Sequence, residues 1–151
     1  MTTAAPNATA MKFGYPESLV ADYRHWLVLA RPQQPTLGSL VLLCTDPART
    51  FSQISPAAFA ELGQATADIE VALKATFQPD KLNYVMLMMV DPDVHFHVLP
   101  RYEQPRQFNG RDFSDGFWPK PVDLTQPAMN EATMLAEIGE HLRRHWPRRG
   151  S

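Results

Sequence analysis

The sequence predicts an α+β domain, with an antiparallel sheet and helices packed on one side. Three observations carry this. WLVLA (26–30) and LVLLC (40–44) are short, almost wholly apolar runs around a Pro/Gly turn. A long amphipathic segment, 55–77, follows them. Two more strand-like runs, KLNYVMLMMV (81–90) and VHFHVLPRY (94–102), are then separated by only a short turn, DPD. So short a link suits an antiparallel hairpin.

The elements can be taken in order. Residues 1–15 are rich in Ala and Thr and lack the charged and apolar regions of a secretory leader. They read as a flexible tail before a single domain spanning 16–147, with a short basic tail at 148–151. The near-continuous apolarity of 26–30 and 40–44 is that of centrally buried strands. Ser55 is a good helix N-cap with Pro56 at the first helical position. Phe59, Leu62, Thr66, Ile69 and Leu73 recur at steps of three and four, which makes them the expected buried stripe. Residues 103–127 carry several prolines and no clear periodicity, so an irregular covering segment is expected. Phe108, Phe113, Phe117 and Trp118 argue against disorder there. A second helix fits 129–146, with Met134, Leu135, Ile138 and Leu142 on its apolar stripe.

Composition narrows the function classes. The chain has 151 residues, 44% of them hydrophobic, with a formal charge of -2. Fourteen Lys+Arg against sixteen Asp+Glu give no general basis for binding nucleic acid or an anionic membrane. No apolar run approaches the ~20 residues needed to span a bilayer. A single cysteine, Cys44, permits no internal disulfide and reads as a small buried thiol. A cytoplasmic protein is expected. His141 and His145 stand four apart beside Arg143 and Arg144, a pattern that reads as a solvated helix end and not a metal site.

The chemistry concentrates in DPDVHFHVLPRY, residues 91–102. Alternate residues of a strand share a face, so Asp93, His95 and His97 line up on one side while Val94, Phe96 and Val98 anchor the other. Spacing alone leaves three readings open. The two histidines are idle surface residues; or, with Asp93, they hold zinc or iron; or they perform phosphoryl or nucleotidyl chemistry. In the third, a neutral imidazole attacks phosphorus while its neighbour holds a phosphate oxygen or the leaving group. That chemistry needs a ring fixed in one tautomer and donors for the phosphate charge, and Arg101 is a candidate donor.

At these residues the chain resembles the histidine triad (HIT) family of nucleotide hydrolases and transferases. The family motif is His-φ-His-φ-His-φ-φ, with φ hydrophobic, often followed by Pro-Arg. Here it stands as DVHFHVL, followed by Pro100 and Arg101. KLNYVML resembles the family's penultimate strand and TLGSLVLL the strand begun by a Gly-His turn. FWPKPV is similar to a Trp-Pro segment of a bacterial branch. The resemblance covers roughly residues 20–122.

The resemblance implies a HIT-like domain: an antiparallel sheet of about five strands, a long helix after the second core strand, and a C-terminal helix. It implies that His95 is the nucleophile forming a nucleotidyl-histidine intermediate and that His97 serves the phosphate and leaving-group side. A His at position 97 is closer to the hydrolase side of the family than to its transferase branch. Asp93, Asn83, Ser39, Arg101 and Trp118 are the expected substrate-binding residues. The implied substrate is a nucleotide or nucleoside phosphate conjugate with a phosphoanhydride or phosphoramidate bond, such as diadenosine polyphosphate. No cofactor is required and no metal ligand is assigned, although a divalent ion can accompany the substrate. The implied assembly is a homodimer. The alternatives are a catalytically weak HIT-fold protein that binds a nucleotide or another partner, and a metal enzyme using Asp93, His95 and His97.

The chain departs from the motif in four places. Asp93 replaces the first histidine, Gly38-Ser39 replaces Gly-His, MMVDPD replaces a Gly-rich phosphate loop, and Ala30 falls near a position that is often polar and binds ribose. A carboxylate about 5 Å from a phosphate costs about 3 kcal/mol at an effective dielectric of about 20. Turned toward a ring N–H, the same carboxylate would instead raise that histidine's basicity.

Overall fold

The computed structural model describes residues 5–126 and 129–147. The two apolar runs form β2 (Trp26–Ala30) and β3 (Leu40–Cys44), and all ten of their residues are buried. They pair antiparallel at the middle of a five-stranded sheet. The other strands are β1 (Leu19–Asp22), β4 (Lys81–Val85) and β5 (His95–Arg101), in the order β1-β2-β3-β5-β4. Both β3 and β4 run antiparallel to β5, so they are parallel to each other. Parallel strands need a long crossover. Helix α2 (Pro56–Thr76) supplies it, and β5 then returns into the gap.

Ser55 caps α2 as expected, its Oγ accepting from the Ala58 N–H at 3.1 Å. The buried stripe is rotated from the expected one. Ala58, Ala65, Ile69, Ala72 and Leu73 face the sheet, whereas Phe59 is exposed. Small side chains let the helix approach closely, and the Trp26 indole N–H donates to the Ala58 carbonyl at 2.8 Å. Helix α3 (Ala132–His145) packs on the same core through Ile138 and Leu142, with Met134 and Leu135 at its margin. Its His141 ring stacks against Phe77 and Phe108, so this histidine is part of a packed aromatic edge.

Three sequence expectations need correction. Residues 7–15 are not a frayed tail: they include helix α1 (Ala8–Lys12) and cover the second face of the sheet. Leu27, Leu29, Val41 and Leu43 point to that face and pack with Ala10, Phe13, Tyr15 and Leu19. Strands apolar on both faces need cover on both, so helices on one side alone could not bury this sheet. The strand expected over 81–90 ends at Val85, opposite His97, and residues 86–94 leave the sheet as a loop. The segment expected to be irregular contains a small hairpin, β6 (Arg106–Phe108) and β7 (Arg111–Phe113). Asn109 and Gly110 both take positive φ in its two-residue turn, the conformation this dipeptide favours. Strands of three residues are too short to show alternation. The basic tail at 148–151 lies outside the described residues.

The turn between β2 and β3 is built around one buried amide. Gln34 Nε2 donates to the carbonyls of Arg31 and Ser39, both at 2.8 Å, and Gln34 Oε1 accepts from the N–H of Gly38 at 2.8 Å. Gly38 has φ 82°, and a Cβ there would lie 2.9 Å from Phe77 Cδ2. Both facts require glycine.

Candidate active site

Register fixes the face on which the histidines stand. His95 pairs with Leu43 and His97 with Val41, so both imidazoles project toward the layer made by α1 and its following residues. Their rings are 5.1 Å apart between centroids and nearly perpendicular. Phe13 packs against both, at 6.0 and 5.9 Å. The two rings line a cavity of about 400 Å³ whose other walls include Phe13, Arg31, Gln33, Thr125 and the loop from Leu87 to Asp91.

The His95 ring is oriented by backbone. Its Nδ1 lies 2.6 Å from the carbonyl oxygen of Asp93. A carbonyl only accepts, so Nδ1 carries the proton and, in the neutral ring, Nε2 carries the lone pair. Nε2 makes no hydrogen bond among the described residues. His97 differs: its Nδ1 is buried with no partner among the described residues. Burial, the Arg31 charge and His95 together push its pKa down to about 4, against a small opposing effect of Asp91. His97 is therefore neutral at neutral pH.

The Asp93 carboxylate neither faces a ring nor lines the cavity. Asp93 is nearly buried, and its Oδ2 accepts from Thr9 Oγ1 of α1 at 2.6 Å. Among the described residues no three His, Cys, Asp or Glu side chains gather into a group able to hold a metal. Asp93 thus precedes β5 and does not stand on the strand face that His95 and His97 share.

The other expected site residues stand elsewhere. Asn83, Arg101 and Trp118 line a second cavity, of about 800 Å³, beside β4. Asn83 and Arg101 share the histidines' face of the sheet, further along β5. The Arg101 guanidinium is fully engaged: Nε donates to Asp115 Oδ2 at 2.7 Å, Nη1 to Asn83 Oδ1 at 2.7 Å and Nη2 to the Lys120 carbonyl at 2.6 Å. Burial opposes ionisation of Asp115, but its bonds from Arg101, Tyr102 and Phe117 outweigh this and hold its pKa below the usual range. Ser39 lies within the β2–β3 turn, donating to the Thr36 carbonyl at 2.7 Å. Cys44 is buried, and burial pushes its thiol up to about 11, which disfavours the thiolate.

Sequence reasoning missed Phe13, Arg31 and Lys12, which also lines the cavity. Lys12 is paired at 2.8 Å with Asp91. Arg31 is 8% exposed, and the only hydrogen bond of its guanidinium among the described residues runs from Nη1 to the Gln33 carbonyl at 2.7 Å. Its Nε is buried with no partner among the same residues. A charge placed directly after a wholly apolar strand was the available signal.

A sequence model of the HIT domain matches residues 16–104. The chain belongs to the HIT domain family. No curated protein matches it. Solved HIT structures share its fold. A histidine triad protein of Bradyrhizobium japonicum is 22% identical with a TM-score of 0.71, the alignment covering 96% of this chain and 99% of that one. A histidine triad protein of Sinorhizobium meliloti 1021 is 18% identical with a TM-score of 0.72, covering 96% and 98%. A hypothetical histidine triad nucleotide-binding protein of Sulfolobus tokodaii strain 7 is 16% identical with a TM-score of 0.64, covering 85% and 82%. The HIT fold points to nucleotide-type ligands and to hydrolase or transferase chemistry.

Proposed function

We propose that this HIT protein is a nucleotidyl hydrolase or transferase acting on a phosphoanhydride or phosphoramidate bond of a nucleoside phosphate conjugate. The supporting observation is the bond from His95 Nδ1 to the Asp93 carbonyl, which leaves Nε2 as the nucleophilic nitrogen. In the first step the Nε2 lone pair forms a bond to phosphorus, the bond to the leaving group breaks, and the leaving group departs with that electron pair. In the second step the oxygen of water or another hydroxyl acceptor bonds to phosphorus and gives up its proton to solvent, the P–N bond breaks with its electron pair returning to Nε2, and the neutral ring is restored. Neutral His97, in the tautomer that carries its proton on Nε2, would offer an N–H to a phosphate oxygen or to the leaving group. The attack needs no cofactor from the protein; a divalent ion can enter with the substrate.

The outer edge of β4 has no partner strand among the described residues. That edge suits a two-fold pairing of sheets, which fits the expected homodimer. No helix among the described residues is long and apolar enough to cross a membrane, and a cytoplasmic location belongs to the same proposal.

The test is a panel of adenylated and guanylated conjugates offered to wild type and His95→Ala. The expected result is a nucleotidyl adduct on the wild-type chain, trapped under alkaline quench and seen by mass spectrometry, with adduct and turnover both absent from the variant. Undiminished turnover in His95→Ala would sink the proposal. The apolar loop at Met88, Met89 and Val90, with no polar side chain to meet a phosphate, favours a second reading: a nucleotide-binding protein of weak turnover. Nucleotide binding without adduct across the panel selects it.

A further inference from the structure

The cavity is poor in phosphate donors on the side where the loop stands. Met88, Met89 and Val90 bring no polar side chain, and Val90 and Met89 are largely exposed. Lys12 is already neutralised by Asp91. The remaining cation on the cavity wall is Arg31.

Arg31 is in an unusual state for a structural arginine. More than nine-tenths of it is buried, yet among the described residues it meets no carboxylate. A buried guanidinium is normally paired, because its lost hydration must be replaced. Here one carbonyl oxygen accepts from Nη1, and among the described residues Nε is left without an acceptor. The backbone beneath the side chain is rigid. The Arg31 N–H donates to the Ser39 carbonyl at 2.9 Å, and the Arg31 carbonyl accepts from Gln34 Nε2 at 2.8 Å. An under-satisfied cation on the wall of a cavity lined by two imidazoles is suited to an anion.

We infer that Arg31 is the phosphate-binding residue of this cavity, supplying to the phosphoryl group attacked by His95 the donors that the loop lacks. The inference rests on the nucleotidyl reading for the identity of the anion. It also gives the turn around Gln34 and Ser39 a role, that of positioning Arg31. A guanidinium presents its N–H groups as a planar fork that matches two oxygens of one phosphate, which a lysine cannot reproduce.

The full-length protein separates the inference from the reading beneath it. Binding of adenosine 5′-monophosphate and of inorganic phosphate would be measured by calorimetry for wild type, Arg31→Lys and Arg31→Met, with circular dichroism checking the fold of each. Loss of a charged hydrogen bond predicts that Arg31→Met weakens both ligands about 10- to 100-fold. Arg31→Lys should recover part of the loss. Equal affinity of wild type and Arg31→Met for the nucleotide overturns the inference and leaves the nucleotidyl reading standing. Arg31-dependent phosphate binding without any nucleotide binding upholds the anion site and removes the nucleotide. Binding of neither ligand by wild type overturns the inference. If Arg31→Met fails to fold, the comparison of wild type with Arg31→Lys decides, since an unchanged affinity there contradicts a forked phosphate contact.

Discussion

The His95 ring is held by the main chain of Asp93, whose carbonyl oxygen lies 2.6 Å from Nδ1, while the Asp93 side chain turns away to Thr9. Asp93 therefore orients the His95 ring by a group that every amino acid possesses. Its carboxylate serves a different purpose, tying the start of β5 to α1.

This separation predicts that changing the Asp93 side chain affects stability more than chemistry. Asp93→Asn and Thr9→Val should each lower stability by about 1–3 kcal/mol, the range for losing a partner in a buried charged hydrogen bond. The double variant should cost less than the sum, with a coupling of about 0.5 kcal/mol or more. Urea unfolding of the four proteins measures this. The His95 adduct should persist in Asp93→Asn, and its disappearance would return a direct role to the carboxylate.

His97 predicts a pH dependence of stability. Its folded pKa of about 4 lies below the ordinary histidine value of about 6.5. Between those values the unfolded chain binds more protons than the native one, so stability rises with pH through that window. The benefit is complete above pH ~6.5 and lost as pH falls toward 4. Its size is on the order of 3 kcal/mol. His97→Gln should flatten this part of the profile in denaturant titrations at fixed pH steps. Arg31→Met should move the His97 titration upward in NMR, because the Arg31 charge is one cause of the depression.

Arg101 and Asp115 form a nearly buried ion pair at 2.7 Å. Removing one partner leaves the other charge stranded, and Arg101→Met should cost about 3–5 kcal/mol. Nucleotide affinity at temperatures where the variant remains folded should change little. A selective loss of affinity at unchanged melting temperature would restore Arg101 to the substrate-binding role expected of it from sequence.

What was legible in the sequence was whatever local pattern determines. WLVLA and LVLLC announced central strands, Ser55-Pro56 announced a helix start, and alternation around His95 and His97 assigned their face. The HIT motif then made the fold readable as a whole. What escaped depended on long-range closure. The apolarity of β2 and β3 on both faces already required a second covering layer, but nothing local named residues 7–15 as that layer. The partition of Asp93 between its carbonyl and its carboxylate is invisible to spacing. Asn83 and Arg101 looked available for substrate, yet Asp115 and Lys120, 14 and 19 residues from Arg101, occupy the guanidinium. Arg31 was passed over because a lone charge after a strand ordinarily faces water.

Thr9 and Asp93 are 84 residues apart in the chain, and α1 is only five residues long. A helix that short does not persist by itself and forms on docking. Closing so long a loop makes this wall of the cavity one of the last parts to assemble and one of the first to open in local fluctuations. Amide exchange along residues 8–13 should accordingly outpace that of β3, and the integrity of the His95 pocket depends on the docking of a segment that cannot hold its helix alone.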